Sequence, residues 1–211
     1  MRRASSAQDK ERRRTAILRA AGDLLDGSRY EAVSMAAVAR EAGIAKGTTY
    51  LYFPTKEQLF LALLEDEYAA WFGAARIALR ELGPTPSPEQ VTAGLMGTLR
   101  DRPRLLSLME RVHRVLEQNI SVDAAGAFKG RLQDEATGLA LVLSEKAGIS
   151  MRRAMRLLLQ LHVLVVGIRQ IARPPAAVAT ALERPGLAGM RVDFDLELRA
   201  ALRSLLREAM P

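Results

Sequence analysis

The residues best suited to chemistry lie close together, in the stretch SMAAVAREAGIAKGTTYLYFPTK from Ser34 to Lys56. Lys46 offers an ammonium group, Thr48 a hydroxyl, and Tyr50 and Tyr52 phenolic hydroxyls. Such groups suit phosphate oxygens and base edges. Gly47 has no side chain, so a helix through it can approach a groove closely. Other chemistries find little support. There are no cysteines, which excludes disulfides and thiolate metal sites. The two histidines, His113 and His162, lack ligand spacing. His113 has Glu110 and Glu117 near it in sequence, but no nucleophile elbow, metal pair or phosphate loop accompanies them. The chain is therefore expected not to be an enzyme and to need no metal or cofactor.

The elements that must position these groups are short helices. Residues 10–26 place Ala16, Ile17, Ala20, Ala21, Leu24 and Leu25 on one face, and Gly27 ends the stretch. Ser34 is the N-cap of a helix from Met35 to Ala42, Gly43 breaks it, and a second short helix covers 45–52. Pro54 stops the chain, and Thr55 caps a third helix from Lys56 to Ala74 or beyond. Val38, Ala42, Ile44 and Thr49 face a small core that helix 10–26 completes, because two short helices cannot bury enough surface alone. The second helix then turns its N-terminal end outward. This is a helix-turn-helix, whose second helix enters the major groove N-terminus first. Phe53 reads as core. Tyr50 and Tyr52 each keep two readings, as core aromatics or as contacts to a nucleic-acid backbone.

Charge and length agree with that reading. The chain has 211 residues and a net charge of +7. Residues 1–53 hold ten Lys/Arg against six Asp/Glu, and the first 14 residues alone are net +4. A basic head fits a polyanion, although a solvated arm has the same composition. The most apolar run, Leu157 to Ile168, is too short for a bilayer, which needs about 20 residues, so no membrane segment is expected. A cytoplasmic location is expected.

The pattern beyond Lys56 is helical nearly throughout. Further helices are predicted over 88–99, after Pro103 to about 119, over 122–146, over 151–171 and over 193–209, with no confident strand. The fold class is all-α. A head at 1–54, with its helix-turn-helix at about 35–52 and a basic N-terminal arm, precedes a helical body at 55–211.

The segment AGIAKGTTYLYFPTKEQLF, with helix 12–26 and the approach GSRYEAVSMAAVAREAG, resembles the DNA-binding head of the tetracycline-repressor family of bacterial regulators. The likeness covers about residues 12–64. It implies that Lys46, Gly47, Thr48 and Tyr50 touch DNA, with Tyr52 beside them, and that Ser34 and Lys56 meet phosphates. Lys56 also reads as an ordinary first-turn surface residue. Three positions depart from the family pattern: Ala45 replaces a capping serine, Thr49 an aliphatic residue, and Leu51 a polar one. The implied function is transcription regulation at a double-stranded operator, as a repressor released by a small apolar or amphipathic effector. The alternatives are an activator of the same fold and an effector-independent or architectural DNA-binding protein.

The resemblance also implies a body that senses a small molecule and dimerises through its last two long helices. Helix 151–171 is apolar on more than one face and must be fully covered; its own subunit could do that, but a partner subunit would do so more easily. The expected homodimer interface is Leu158, Leu161, Leu164, Val165 and Ile168 with Leu198, Leu202 and Leu205. Effector candidates are Trp71, Phe72, Met96, Met109, His113, Phe128 and Leu132; plain core is the stronger reading of the apolar ones, and a solvated or satisfied histidine the stronger reading of His113.

Overall fold

The computed structural model describes residues 2–211, with side chains from Ala7 onward except that of Arg114. The side chains of Arg2 and Arg3, expected in the basic arm, lie outside the described residues. Among the described residues there are ten α-helices and no strand. They are α1 (Arg2–Gly27), α2 (Met35–Glu41), α3 (Lys46–Tyr52), α4 (Lys56–Arg80), α5 (Pro88–Arg100), α6 (Pro103–Met109), α7 (Val122–Ala147), α8 (Met151–Ala172), α9 (Ala176–Ala181) and α10 (Phe194–Ala209). Two compact units result: Met1–Glu67 with Arg111–Arg131, and Tyr68–Glu110 with Leu132–Pro211.

In the first unit, α1 packs on α2 and α2 on α3. Ile17, Ala21, Val38, Leu59 and Phe60 are fully buried there. Ala39 is buried as well, and its small side chain lets α2 cross its neighbours closely. The turn after α2 is a Schellman motif. Gly43 adopts φ +66°, its N–H donates to the Arg40 carbonyl, and the Ile44 N–H donates back to the Ala39 carbonyl. A side chain at that φ would be strained, which is why glycine stands there. Tyr30, in a 3₁₀ turn before α2, meets Phe60 edge-to-face with ring centroids 4.9 Å apart.

In the second unit, α10 packs against both α5 and α8. Leu198, Leu202 and Leu206 form its buried stripe at i, i+4, i+8. Ser87 and Gln90 form a reciprocal capping box on α5, with Pro88 in the first turn. Ser150 caps α8 and Asp193 caps α10. The apolar run around Leu157 belongs to a helix of 22 residues, long and apolar enough by composition to cross a membrane. It packs against α10 and α6 along one side, and 33% of its most apolar stretch is buried within the chain. The helix expected to reach about 119 instead ends at Met109 and is followed by a π-helical turn at Val112–Leu116. The short α9 lies in the proline-rich connection, whose residues carry no helical periodicity.

Candidate DNA-reading site

The α3 helix is held by the side it hides. Thr49 is 0% exposed and faces the core with Val38, while Ala42 and Ile44 are half-buried. That orientation turns Lys46, Gly47, Tyr50 and Leu51 to solvent. Thr48 and Tyr52 are half-buried at the edges of the exposed face. Phe53 is buried as expected, with the Arg14 guanidinium 5.8 Å from its ring centroid. Leu51, one of the three departures from the family pattern, is 83% exposed. An apolar side chain on such a face suits a thymine methyl.

The caps follow from residue type. Ser34 Oγ accepts the Ala37 N–H at 3.1 Å and fixes the start of α2. Ala45 stands at the equivalent place before α3 and makes no side-chain cap. Lys56 opens α4, where its ammonium group donates to the Tyr30 carbonyl and lies 4.0 Å from the Tyr30 ring centroid. Burial pulls the Lys56 pKa below its ordinary value, against the pull of Glu31 and Glu57. The lysine thus ties the start of α4 to the turn before α2, a local role that spacing alone did not reveal.

Among the described residues the Thr49 hydroxyl has no hydrogen-bond partner, although it is buried. Leaving such a group dry costs about 1–3 kcal/mol. Thr49→Val keeps the shape and removes the hydroxyl, and it is expected to raise unfolding free energy by about 1 kcal/mol. Urea unfolding of the two proteins checks this. A loss of stability would mean that the hydroxyl is satisfied.

The expected effector residues divide between the two units. Trp71, Phe72, Met96 and Met109 are all buried in the second. Trp71 lies against Phe72, ring centroids 4.6 Å apart and planes tilted by 50°, and donates its indole N–H to Thr98 Oγ1 at 3.1 Å. Leu132 is half-buried in the same unit. Phe128 and His113 belong to the first. Phe128 is 1% exposed, while His113 is exposed with Nδ1 3.0 Å from Glu117 Oε2. Lys129 Nζ holds the other Glu117 oxygen at 2.5 Å. Burial pushes the Glu117 carboxyl up, but Lys129 and His113 outweigh it and leave the pKa below the ordinary value.

The expected interface residues divide differently. Leu158, Leu161, Val165, Leu198 and Leu202 are buried inside one chain, because α10 lays its single apolar stripe on α8. Leu164, Ile168 and Leu205 are half-buried. The apolar side chains that α8 leaves in water are others: Leu159, Val163 and Ile171.

Comparison with known proteins agrees with this architecture. Residues 17–63 match the family described as bacterial regulatory proteins, tetR family, and residues 65–207 match the tetracyclin repressor-like C-terminal domain. The chain is 47% identical over 64 residues to the HTH-type transcriptional repressor KstR of Rhodococcus jostii, a match that covers 30% of each protein. The chain therefore spans under a third of that relative's length. The solved structure of the multidrug binding protein EbrR, complexed with imidazole, is similar at TM-score 0.62 and 19% identity, covering 94% of this chain and 95% of that one. The TetR family repressor AlkX from Dietzia sp. is similar at TM-score 0.55 and 21% identity, covering 93% and 96%. At those identities the structural likeness speaks to the fold.

Proposed function

The chain belongs to the tetracycline-repressor family of bacterial regulators, and from that premise we propose that it is a sequence-specific DNA-binding transcriptional repressor. Its head (1–54) binds a double-stranded operator, and its body (55–211) dimerises and takes a small apolar or amphipathic effector. It acts in the cytoplasm. The observation that carries the reading is the exposed face of α3, where Lys46, Gly47, Tyr50 and Leu51 are set out by the burial of Thr49 behind them. Lys46 and Thr48 contact base edges, Tyr50 and Tyr52 the backbone, and Ser34 and Lys56 flanking phosphates. In the body, the buried Trp71, Phe72, Met96 and Met109 are the side chains the effector displaces, and methionine adapts readily to such a guest.

Protection mapping on DNA flanking the protein's own gene, with and without a small-molecule cell extract, tests both halves. Absence of any protected site sinks the operator; a footprint indifferent to extract sinks the effector. On the mapped site, Lys46→Ala and Thr48→Ala are each expected to weaken binding by about 1–3 kcal/mol while binding to random DNA changes far less. Equal losses on both DNAs, read by fluorescence anisotropy at fixed salt, would make these residues backbone contacts.

A further inference from the structure

The first turns of α8 and the last turns of α10 border a half-open cavity of about 420 Å³. Its wall is basic: Arg152, Arg153 and Arg156 line it, with Glu208 as its one carboxylate. Leu157 and Leu205 supply an apolar side. Arg153 is partly committed to the fold, donating to the Ala209 carbonyl at 3.3 Å. Among the described residues, neither Arg152 nor Arg156 has an acidic side chain within 4 Å.

The position of these arginines is electrostatically wrong for stability alone. All three stand in the first two turns of α8, where the aligned peptide dipoles already create positive potential. Helices ordinarily place acidic residues there, and the first turn of α8 has none. Gathering guanidinium groups at that end adds mutual repulsion, which a bound anion relieves. A guanidinium presents a planar fork that matches a carboxylate or a phosphate. The volume lies in the range of small-molecule sites, about 300–1,000 Å³. Leu205, with the edge of Leu157, gives a short carbon chain an apolar surface that a bare inorganic ion would not use.

We propose that this cavity binds a small anionic amphiphile, its carboxylate or phosphate head on Arg152 and Arg156 and its short hydrocarbon part on Leu157 and Leu205. None of its lining residues belongs to the DNA-reading set or to the aromatic and methionine cluster around Trp71, and it does not depend on the role assigned to either.

Calorimetric titration of the full chain at constant ionic strength tests it. The probes are octanoate and octyl phosphate, with acetate and octanol as arms that carry only the head or only the chain. Saturable binding of octanoate or octyl phosphate at one site per chain is expected, and the tighter of the two identifies the head group. The variant Arg152→Gln/Arg156→Gln is expected to bind at least about ten-fold more weakly, since each charge-assisted hydrogen bond is worth that much or more. Both arginines are exposed, so the variant keeps the fold, which circular dichroism verifies. Arg199→Gln, an exposed arginine of α10 outside the cavity, is expected to bind as the parent does. Undiminished binding by the double variant would overturn the proposal, as would octanol binding as tightly as octanoate, acetate binding as tightly, or no saturable binding of either amphiphile.

Discussion

Glu110→Ala is expected to lower the unfolding free energy by about 3 kcal/mol, the lower end of the range for breaking a buried ion pair. Glu110, just past the end of α6, pairs with Arg169 of α8. The Arg169 side chain is 5% exposed and that of Glu110 is 21% exposed, so the guanidinium is the more deeply desolvated partner. The Arg169 guanidinium also lies 5.7 Å from the ring centroid of Phe194, the first residue of α10. One arginine therefore links three helices of the second unit. Removing this carboxylate takes a counter-charge from a guanidinium whose water is already stripped away. For a chain of this length, a loss of about 3 kcal/mol corresponds to a fall in Tm of roughly 6–12 °C. Arg169→Met in the Glu110→Ala background is expected to restore most of the loss, because an apolar side chain of similar reach asks for no counter-charge. Equilibrium urea unfolding at fixed protein concentration decides the matter. A single-variant loss under about 1 kcal/mol would show that water already reaches the pair.

Arg169 also marks where reading the sequence stops short. There it looks like the polar end of an apolar run, and only the packing of α6 and α10 shows it to be interior. The helix-turn-helix was legible because its signals are local. Ser34 caps, Gly43 takes the left-handed turn, and Thr49 points inward, all within about twenty residues. Lys56 shows the limit of such signals, since its bond to the Tyr30 carbonyl joins residues distant in sequence. The long helices were legible from periodicity and caps, but their facing was not. Helix α8 is apolar nearly all round, so periodicity cannot say which face its own chain covers. The single stripe of α10 decides that, and it takes Leu158, Leu161 and Val165. The cavity beside Arg152 and Arg156 was missed for the same reason. Arginines near a helix start read as solvated surface until the end of α10 is brought beside them.

Val163→Asp is expected to convert the proposed dimer into folded monomers, and Leu159→Asp to do the same. Leu159, Val163 and Ile171 are 62%, 60% and 62% exposed, and with Gly167 they follow one i, i+4 ridge along α8. A side chain built at Gly167 would meet nothing within 4 Å, so the middle of the ridge is open for a second helix to approach closely. In a two-fold contact each ridge residue is covered twice. Burying a leucine or valine is worth roughly 1.5–3 kcal/mol, so losing two copies of Val163 removes about 3 kcal/mol or more, before the cost of two unpaired carboxylates. The dimerisation constant should therefore weaken at least about 100-fold, which sedimentation across a concentration series reads directly. Operator binding follows, because a dimer holds its second head beside the second half-site. Losing that tether is expected to reduce affinity by about 10²–10⁴, with binding to random DNA much less affected. Leu202→Asp supplies the contrast. Leu202 is 0% exposed within one chain, so its charge should unfold or aggregate the protein rather than release a folded monomer. Stable dimers in both Val163→Asp and Leu159→Asp would move the interface to α7, where Leu141 is 59% exposed while its neighbours Leu139 and Val142 are buried. Leu141→Asp would then be the substitution that yields monomers.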